Sequence, residues 1–321
     1  MSQESVDKPG SEKEWKLIEK LLMGMTSEQK KARRWGIFFK SLTFVYLFAA
    51  VAMFAPNNMK GVDVGGDFTA VVEVKGVIAD GEEASADLIV TGMREAFKAE
   101  GVKAVVLRIN SPGGSPVQSG YIYDEIKRLR SIYVDIPLYA VISDLGASGA
   151  YYIAAAADGI YADKASLVGS IGVVGSGFGF VDVMKKLGVE RRQFTSGEHK
   201  GFLDPFMPLN NEEKSFWQGV LATTHKQFID QVKKGRGDKL VSDEKLFSGL
   251  VWTGEQALGL GLIDGLGSTG YVARELVGAE KIVDFTPKPS PFEGLVGRLG
   301  VYAGKGFATA LGMNNSGLQL K

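Results

Sequence analysis

The chain contains no cysteine and only two histidines, His199 and His225. The first absence excludes disulfides, thiolate nucleophiles and Cys-ligated zinc, and it fits an oxidising compartment. The second leaves too few imidazoles for a His-rich metal centre. A charge excess is also missing. The 37 Lys and Arg balance 37 Asp and Glu, so whole-chain charge gives no case for a nucleic-acid partner. The glycine-rich run 172–179 contains Gly175-Ser176-Gly177-Phe178-Gly179 rather than G-x-G-x-x-G, and no ribose-binding acid accompanies it. No cofactor is therefore expected. No low-complexity tract appears. Of 321 residues, 45% are hydrophobic and 23% charged, enough for one large core or two small ones.

What is present begins with one long apolar run. Residues 35–55, WGIFFKSLTFVYLFAAVAMFA, carry a single charge, Lys40. A helix of this length covers about 30 Å, the thickness of a bilayer core, and Lys40 sits where its ammonium can snorkel to the nearer interface. Lys30, Lys31, Arg33 and Arg34 precede the run, and Asp63 and Asp67 follow it. The positive-inside rule then puts the N-terminus in the cytoplasm and the remainder across the membrane. A cleaved signal peptide ending at Ala50-Val51-Ala52 is the alternative, but its n-region would exceed thirty residues. A buried core helix fits less well, because the run is apolar on all faces. Upstream, Trp15, Ile18, Leu22 and Met25 recur at helical spacing. Two readings stay open there: an amphipathic helix on the inner leaflet, or a partly ordered polar tail. The expected organisation is a cytoplasmic tail over 1–34, a transmembrane anchor over 35–56, a linker over 57–66, a folded domain over 67–285 and a C-terminal tail over 286–321. That tail opens on TPKPSP, which ends compact structure.

The folded region alternates strands with helices. Residues 68–74 read as a Val-rich strand, 85–98 as a helix and 104–109 (AVVLRI) as a buried strand. Ile122, Ile126, Leu129 and Tyr133 mark one face of the next helix. Residues 138–142 (LYAVI) and 160–162 are further strands, separated by a helix containing Tyr151 and Tyr152. This alternation predicts an α/β fold with a mostly parallel sheet and an active site in the turns at the carboxyl ends of strands. Two turns in that position carry unusual chemistry. In Ser111-Pro112-Gly113-Gly114-Ser115, paired glycines let the backbone approach a ligand and aim N–H groups at it, although a plain strand–helix turn has the same look. In Gly146-Ala147-Ser148-Gly149-Ala150, small residues surround one hydroxyl at a strand-to-helix corner. That resembles a nucleophile elbow, with Ala150 in place of the last glycine; a simple serine N-cap is the plainer reading.

A serine nucleophile needs a base. His225 lies in a polar helical stretch that reads as a solvated face. His199 precedes Lys200 in Gly197-Glu198-His199-Lys200-Gly201, so a Ser-His arrangement through His199 and a Ser-Lys dyad through Lys200 both remain open on the residues alone.

The order of motifs narrows the choice. Asn-Ser-Pro-Gly-Gly is followed by Ala-Ser-Gly, and Gly169-Ser170-Ile171-Gly172-Val173 comes next. Ser-Gly-Glu-His-Lys with Asp204-Pro205-Phe206 follows, and Glu255-Gln256-Ala257 with Gly261-Leu262-Ile263-Asp264 closes the series. Together they resemble the signal peptide peptidase A family, peptidase family S49, in its short single-repeat form within the Clp/crotonase superfold. The resemblance implies a membrane-anchored serine endopeptidase with Ser148 as nucleophile and Lys200 as general base. By the same resemblance Ser170 orients Lys200, and the N–H groups of Gly114 and Gly149 form the oxyanion hole. It further implies peptide substrates such as signal peptide remnants, and a location in the bacterial cytoplasmic membrane with the protease domain on the outer side. His199 departs from the family, where an aromatic residue is common. Two-repeat members place the lysine in the first repeat and the serine in the second, so a single-repeat chain is expected to assemble head to tail into a ring. The competing readings are a crotonase-like acyl-CoA enzyme, against which the anchor and the Ser-Lys pair argue, and a catalytically inactive membrane scaffold.

Overall fold

The structure, a computed structural model, describes residues 12–54 and 65–287. They belong to two units, one holding the N-terminal helix and the other running to Pro287. Helix α1 (Glu12–Phe54) is continuous for 43 residues. The helix runs through residue 34 without a break: the stretch 30–34, KKARR, consists of strong helix formers that carry it into the apolar run. Among the described residues, no helix is long and apolar enough to cross a membrane. The side chains at 50–54 lie outside the described set, as do residues 55–64 of the expected anchor end and linker and the tail beyond 287.

The second unit has the expected alternation of strands and helices. In chain order it contains β1 (Phe68–Lys75), α2 (Ala86–Lys98), β2 (Val102–Ser111), α3 (Pro116–Ile132), β3 (Leu138–Ala147), α4 (Gly149–Ala154), β4 (Gly159–Ala162) and β5 (Leu167–Gly169). There follow α5 (Val181–Leu187), α6 (Asn211–Arg236), β6 (Val251–Thr253), α7 (Gly254–Gly259), β7 (Gly265–Leu266), α8 (Thr269–Tyr271) and β8 (Ile282–Asp284). The strands form one sheet in the order β6-β5-β3-β2-β1-β8, with β4 against β3 and β7 against β4. Every pairing is parallel except β5 with β6. Val72, Val74, Leu107 and Ile109 pack with Ile89 and Met93 of α2 and with Ile122 and Ile126 of α3. On the other face Val71, Val106 and Val141 meet Val272. Burial on both faces explains why β1 and β2 read as near-continuous apolar runs, and each such side chain contributes roughly 1.5–3 kcal/mol.

Strand β3 forks, and the fork places the site. Its first half, from Tyr139 to Ile142, pairs with β4, whereas Leu145, Gly146 and Ala147 pair with Leu167, Val168 and Gly169 of β5. Buried Ser166 bridges the split, donating from Oγ to the Ile142 carbonyl at 3.2 Å and also bonding the Ser143 carbonyl. Because Ala147 lies opposite Gly169, the residues that follow each strand, Ser148 and Ser170, become neighbours. Beyond the fork Val168 and Ile171 are fully buried, whereas Phe178 is 81% exposed.

Helix α6 is tied in by one polar cluster. The buried Arg236 guanidinium donates to the Gly261 carbonyl at 2.9 Å and to the two Asp264 oxygens at 2.6 and 3.1 Å. Asp264 also accepts from the Ile160 N–H at 2.8 Å and from Lys239 at 2.6 Å. Burial opposes ionisation of this carboxyl, but Arg236, Lys239 and the Ile160 N–H outweigh it and hold its pKa below the ordinary value. The Tyr151 hydroxyl donates to the Leu262 carbonyl at 2.6 Å, so the Gly-Leu-Ile-Asp segment joins α4, α6 and β4.

Candidate active site

Ser148 is the corner between β3 and α4, with φ 54° and ψ −126°. An L-residue holds such a conformation at a cost of about 1–3 kcal/mol, and only where its surroundings impose it. Here the Ser148 N–H donates to the Gly169 carbonyl at 2.8 Å, and Ala150 and Tyr151 behind it are fully buried. The serine hydroxyl makes no capping bond to α4. Ser148 instead lines a cleft of about 490 Å³, together with Gly114, Gly149, Ser170 and His225. Ser148 is the N-cap residue of α4 by position, its carbonyl accepting from the Tyr152 N–H at 3.0 Å, but its hydroxyl does not cap the helix.

The opposite wall is the turn after β2. The Gly113 N–H is taken by Ser111 Oγ at 3.1 Å. Ile78 brackets the next residue, donating to the Gly113 carbonyl at 2.9 Å and accepting from the Ser115 N–H at 2.7 Å. The Gly114 N–H itself has no acceptor among the described residues. Only glycine fits there: φ is +155°, and an added Cβ would lie 2.1 Å from the Ile78 oxygen. Gly149 opens α4, so its N–H also lacks an intrahelical acceptor. A Cβ on Gly149 would stand 3.3 Å from the Gly114 nitrogen. Two backbone donors therefore sit close together beside the Ser148 corner, an arrangement suited to a developing oxyanion.

Ser170 has φ 52°, and its N–H donates to the Leu250 carbonyl at 2.8 Å. His225 corrects the sequence reading. It is half-buried on the cleft wall, with Nε2 3.1 Å from the Ile171 carbonyl oxygen. The signal was in the spacing. His225, Phe228, Val232 and Arg236 fall at i, i+3, i+7 and i+11, one stripe of α6, and the last three are its buried residues.

Lys200 is not brought to this cleft within the chain. It is exposed, in a turn where its N–H donates to the Gly197 carbonyl at 3.2 Å, and its ammonium has no partner among the described residues. His199 lines a different, apolar pocket with Phe202 and Phe216. The segment around them packs Phe180 on Phe206 at 5.3 Å and Phe202 on Phe216 at 5.7 Å, yet leaves Phe178 and Phe194 81% and 94% exposed.

A family model describing peptidase family S49 matches residues 133–282. The chain is 44% identical over 208 residues to a protein of Brucella abortus named Na(+)/H(+) antiporter NhaA, covering 64% of this chain but 27% of that protein. It is 31% identical to a candidate signal peptide peptidase SppA of Enterococcus faecium, over 67% of this chain and 64% of the relative. It is 32% identical to a candidate protease of Methanocaldococcus jannaschii, over 67% of this chain and 69% of the relative. The chain thus spans about a quarter of the first relative's length and about two thirds of the other two. The matched stretch 133–282 contains the Ser148 corner, the β3 fork and the Gly-Leu-Ile-Asp closure, and the chain belongs to peptidase family S49, the signal peptide peptidase family.

Proposed function

We propose that the protein is a serine endopeptidase in which Ser148 attacks the scissile carbonyl. The observation that carries this reading is the strained Ser148 corner beside two unpaired backbone donors, Gly114 and Gly149. Attack by Oγ converts the carbonyl to a tetrahedral oxyanion, and those N–H groups stabilise it as charge develops. The base takes the Oγ proton and returns it to the leaving amine. Water then hydrolyses the acyl-enzyme.

In this proposal the base is Lys200 of a neighbouring copy, with Ser170 of the serine-bearing copy orienting its amine. Exposure of Lys200 and of the apolar side chains Val174, Phe178 and Phe194 in the chain segment that leads to it supports a subunit contact through this segment. Head-to-tail contacts of this kind close into rings. The segment 35–56 serves as a membrane anchor, which leads spent signal peptides and other membrane-associated peptides to the site as substrates.

Placement of His225 in the same cleft as Ser148 favours a second reading, in which the base comes from the same chain. Mixing the inactive variants Ser148→Ala and Lys200→Ala separates the two. In random equimolar rings, roughly a quarter of interfaces join an intact serine to an intact lysine and should hydrolyse peptide. Mixed assemblies that form yet stay inactive would rule out the shared dyad.

A further inference from the structure

We infer that His225 is a positioning residue for the Ser148 site: its Nε2–H holds the Ile171 carbonyl and so fixes the Ser170 turn beside the serine. The inference rests on the reading of Ser148 as nucleophile. A carbonyl oxygen can only accept, so at 3.1 Å the imidazole must donate from Nε2. Both the neutral Nε2–H tautomer and the imidazolium can do this.

The tether matters because of where it lies on the chain. Ser170 holds φ 52°, a left-handed conformation that a serine keeps only when its neighbours are fixed. On its N-terminal side the Gly169 carbonyl accepts from the Ser148 N–H, and the Ser170 N–H donates to the Leu250 carbonyl. On its C-terminal side the Ile171 side chain is fully buried and the Ile171 carbonyl meets His225. Beyond that, among the described residues, no hydrogen bond reaches 172–179, and the next anchor is the Phe180 N–H on the Pro205 carbonyl at 2.7 Å. His225 is therefore the last hydrogen-bonded anchor before the chain leaves the core toward Lys200. It is well placed for this, since Phe228 and Val232 bury the same stripe of α6 and Arg236 locks its end.

The test compares wild type, His225→Gln and His225→Leu in the full chain. It uses steady-state peptide hydrolysis, the rate of fluorophosphonate labelling at Ser148, and thermal melting. Leucine removes the donor. We expect kcat and labelling to fall about tenfold with KM little changed, the size of one hydrogen bond expressed as a rate. Glutamine presents an N–H at similar reach and should restore most of the rate, which a merely space-filling role does not predict. Should His225→Leu fail to fold, His225→Phe takes its place. Wild-type kcat in the donor-free variant overturns the inference. So does a Gln variant as slow as the Leu variant, because the ring itself would then act, as a base. If wild type does not label at Ser148, the nucleophile reading falls and this inference with it.

Discussion

Gly149→Ala separates the oxyanion site from the packing around it. Gly149 is the first residue of α4, where Ala is a good helix former, so the backbone tolerates the change. The added Cβ is the perturbation. It would lie 2.5 Å from Ser119 Oγ and 3.3 Å from the Gly114 nitrogen. The first contact is a clash with a fully buried side chain, and overpacking of this kind costs about 1–3 kcal/mol of stability. The second contact puts a methyl beside the donors proposed for the oxyanion, where losing one donor typically costs about 10²–10³ in turnover. The two effects can be pulled apart with Ser119→Ala, which removes the clashing oxygen and its bond to the carbonyl of Ser115, the N-cap residue of α3. In the double variant Gly149→Ala/Ser119→Ala, the melting temperature should recover toward that of Ser119→Ala alone. Turnover should stay depressed, because the methyl still faces Gly114. Assays are kcat/KM on a peptide substrate and thermal denaturation of the same samples. Wild-type turnover in a folded double variant would refute the placement of the hole between Gly114 and Gly149.

Two further outcomes concern stability. Arg236→Met should lower unfolding free energy in denaturant titration, but by less than the about 3–5 kcal/mol expected for a buried charge left without a partner, because Asp264 keeps Lys239 and the Ile160 N–H. Glu125 carries the acid sensitivity of the α2–α3 contact. Hydrogen bonds from Arg128 and Arg94 outweigh burial and hold its pKa at about 2 against an ordinary 4.5. Its folded pKa is depressed, so its contribution is complete above 4.5 and is lost as pH falls through 2. Stability measured down this range should decline less steeply in Glu125→Gln, and an unchanged acid limb would remove Glu125 as its cause.

Much of the domain was legible because its long elements are locally consistent. The strand read at 68–74 is Phe68–Lys75, and the helix read at 85–98 is Ala86–Lys98. Both glycine-bearing turns fell where the strand-to-helix alternation put them. Strand β3 proved longer than the run 138–142, because its second half is carried by pairing with β5 rather than by an apolar pattern. The three-residue strands β5, β6 and β8 are too short for a period to register, and their partners lie far away in sequence. His225 was missed because Thr223, Thr224 and Lys226 around it are polar, although its spacing from Phe228 and Val232 marked the buried stripe. The separation of Lys200 from Ser148 was not readable from the residue pattern; only the family resemblance implied it, through the expected head-to-tail ring. It depends on where the chain goes after Gly172, a stretch with no hydrogen-bonded partner among the described residues.

The central claim is that Ser148 is an activated nucleophile, and covalent labelling tests it most directly. The full-length protein is treated with a fluorophosphonate probe, digested and mapped by mass spectrometry, alongside Ser148→Ala and Lys200→Ala. The account predicts one modified peptide, carrying the adduct on Ser148, lost in Ser148→Ala and strongly slowed in Lys200→Ala. An adduct on another serine that persists in Ser148→Ala, or no adduct in a protein that hydrolyses peptide, would contradict it.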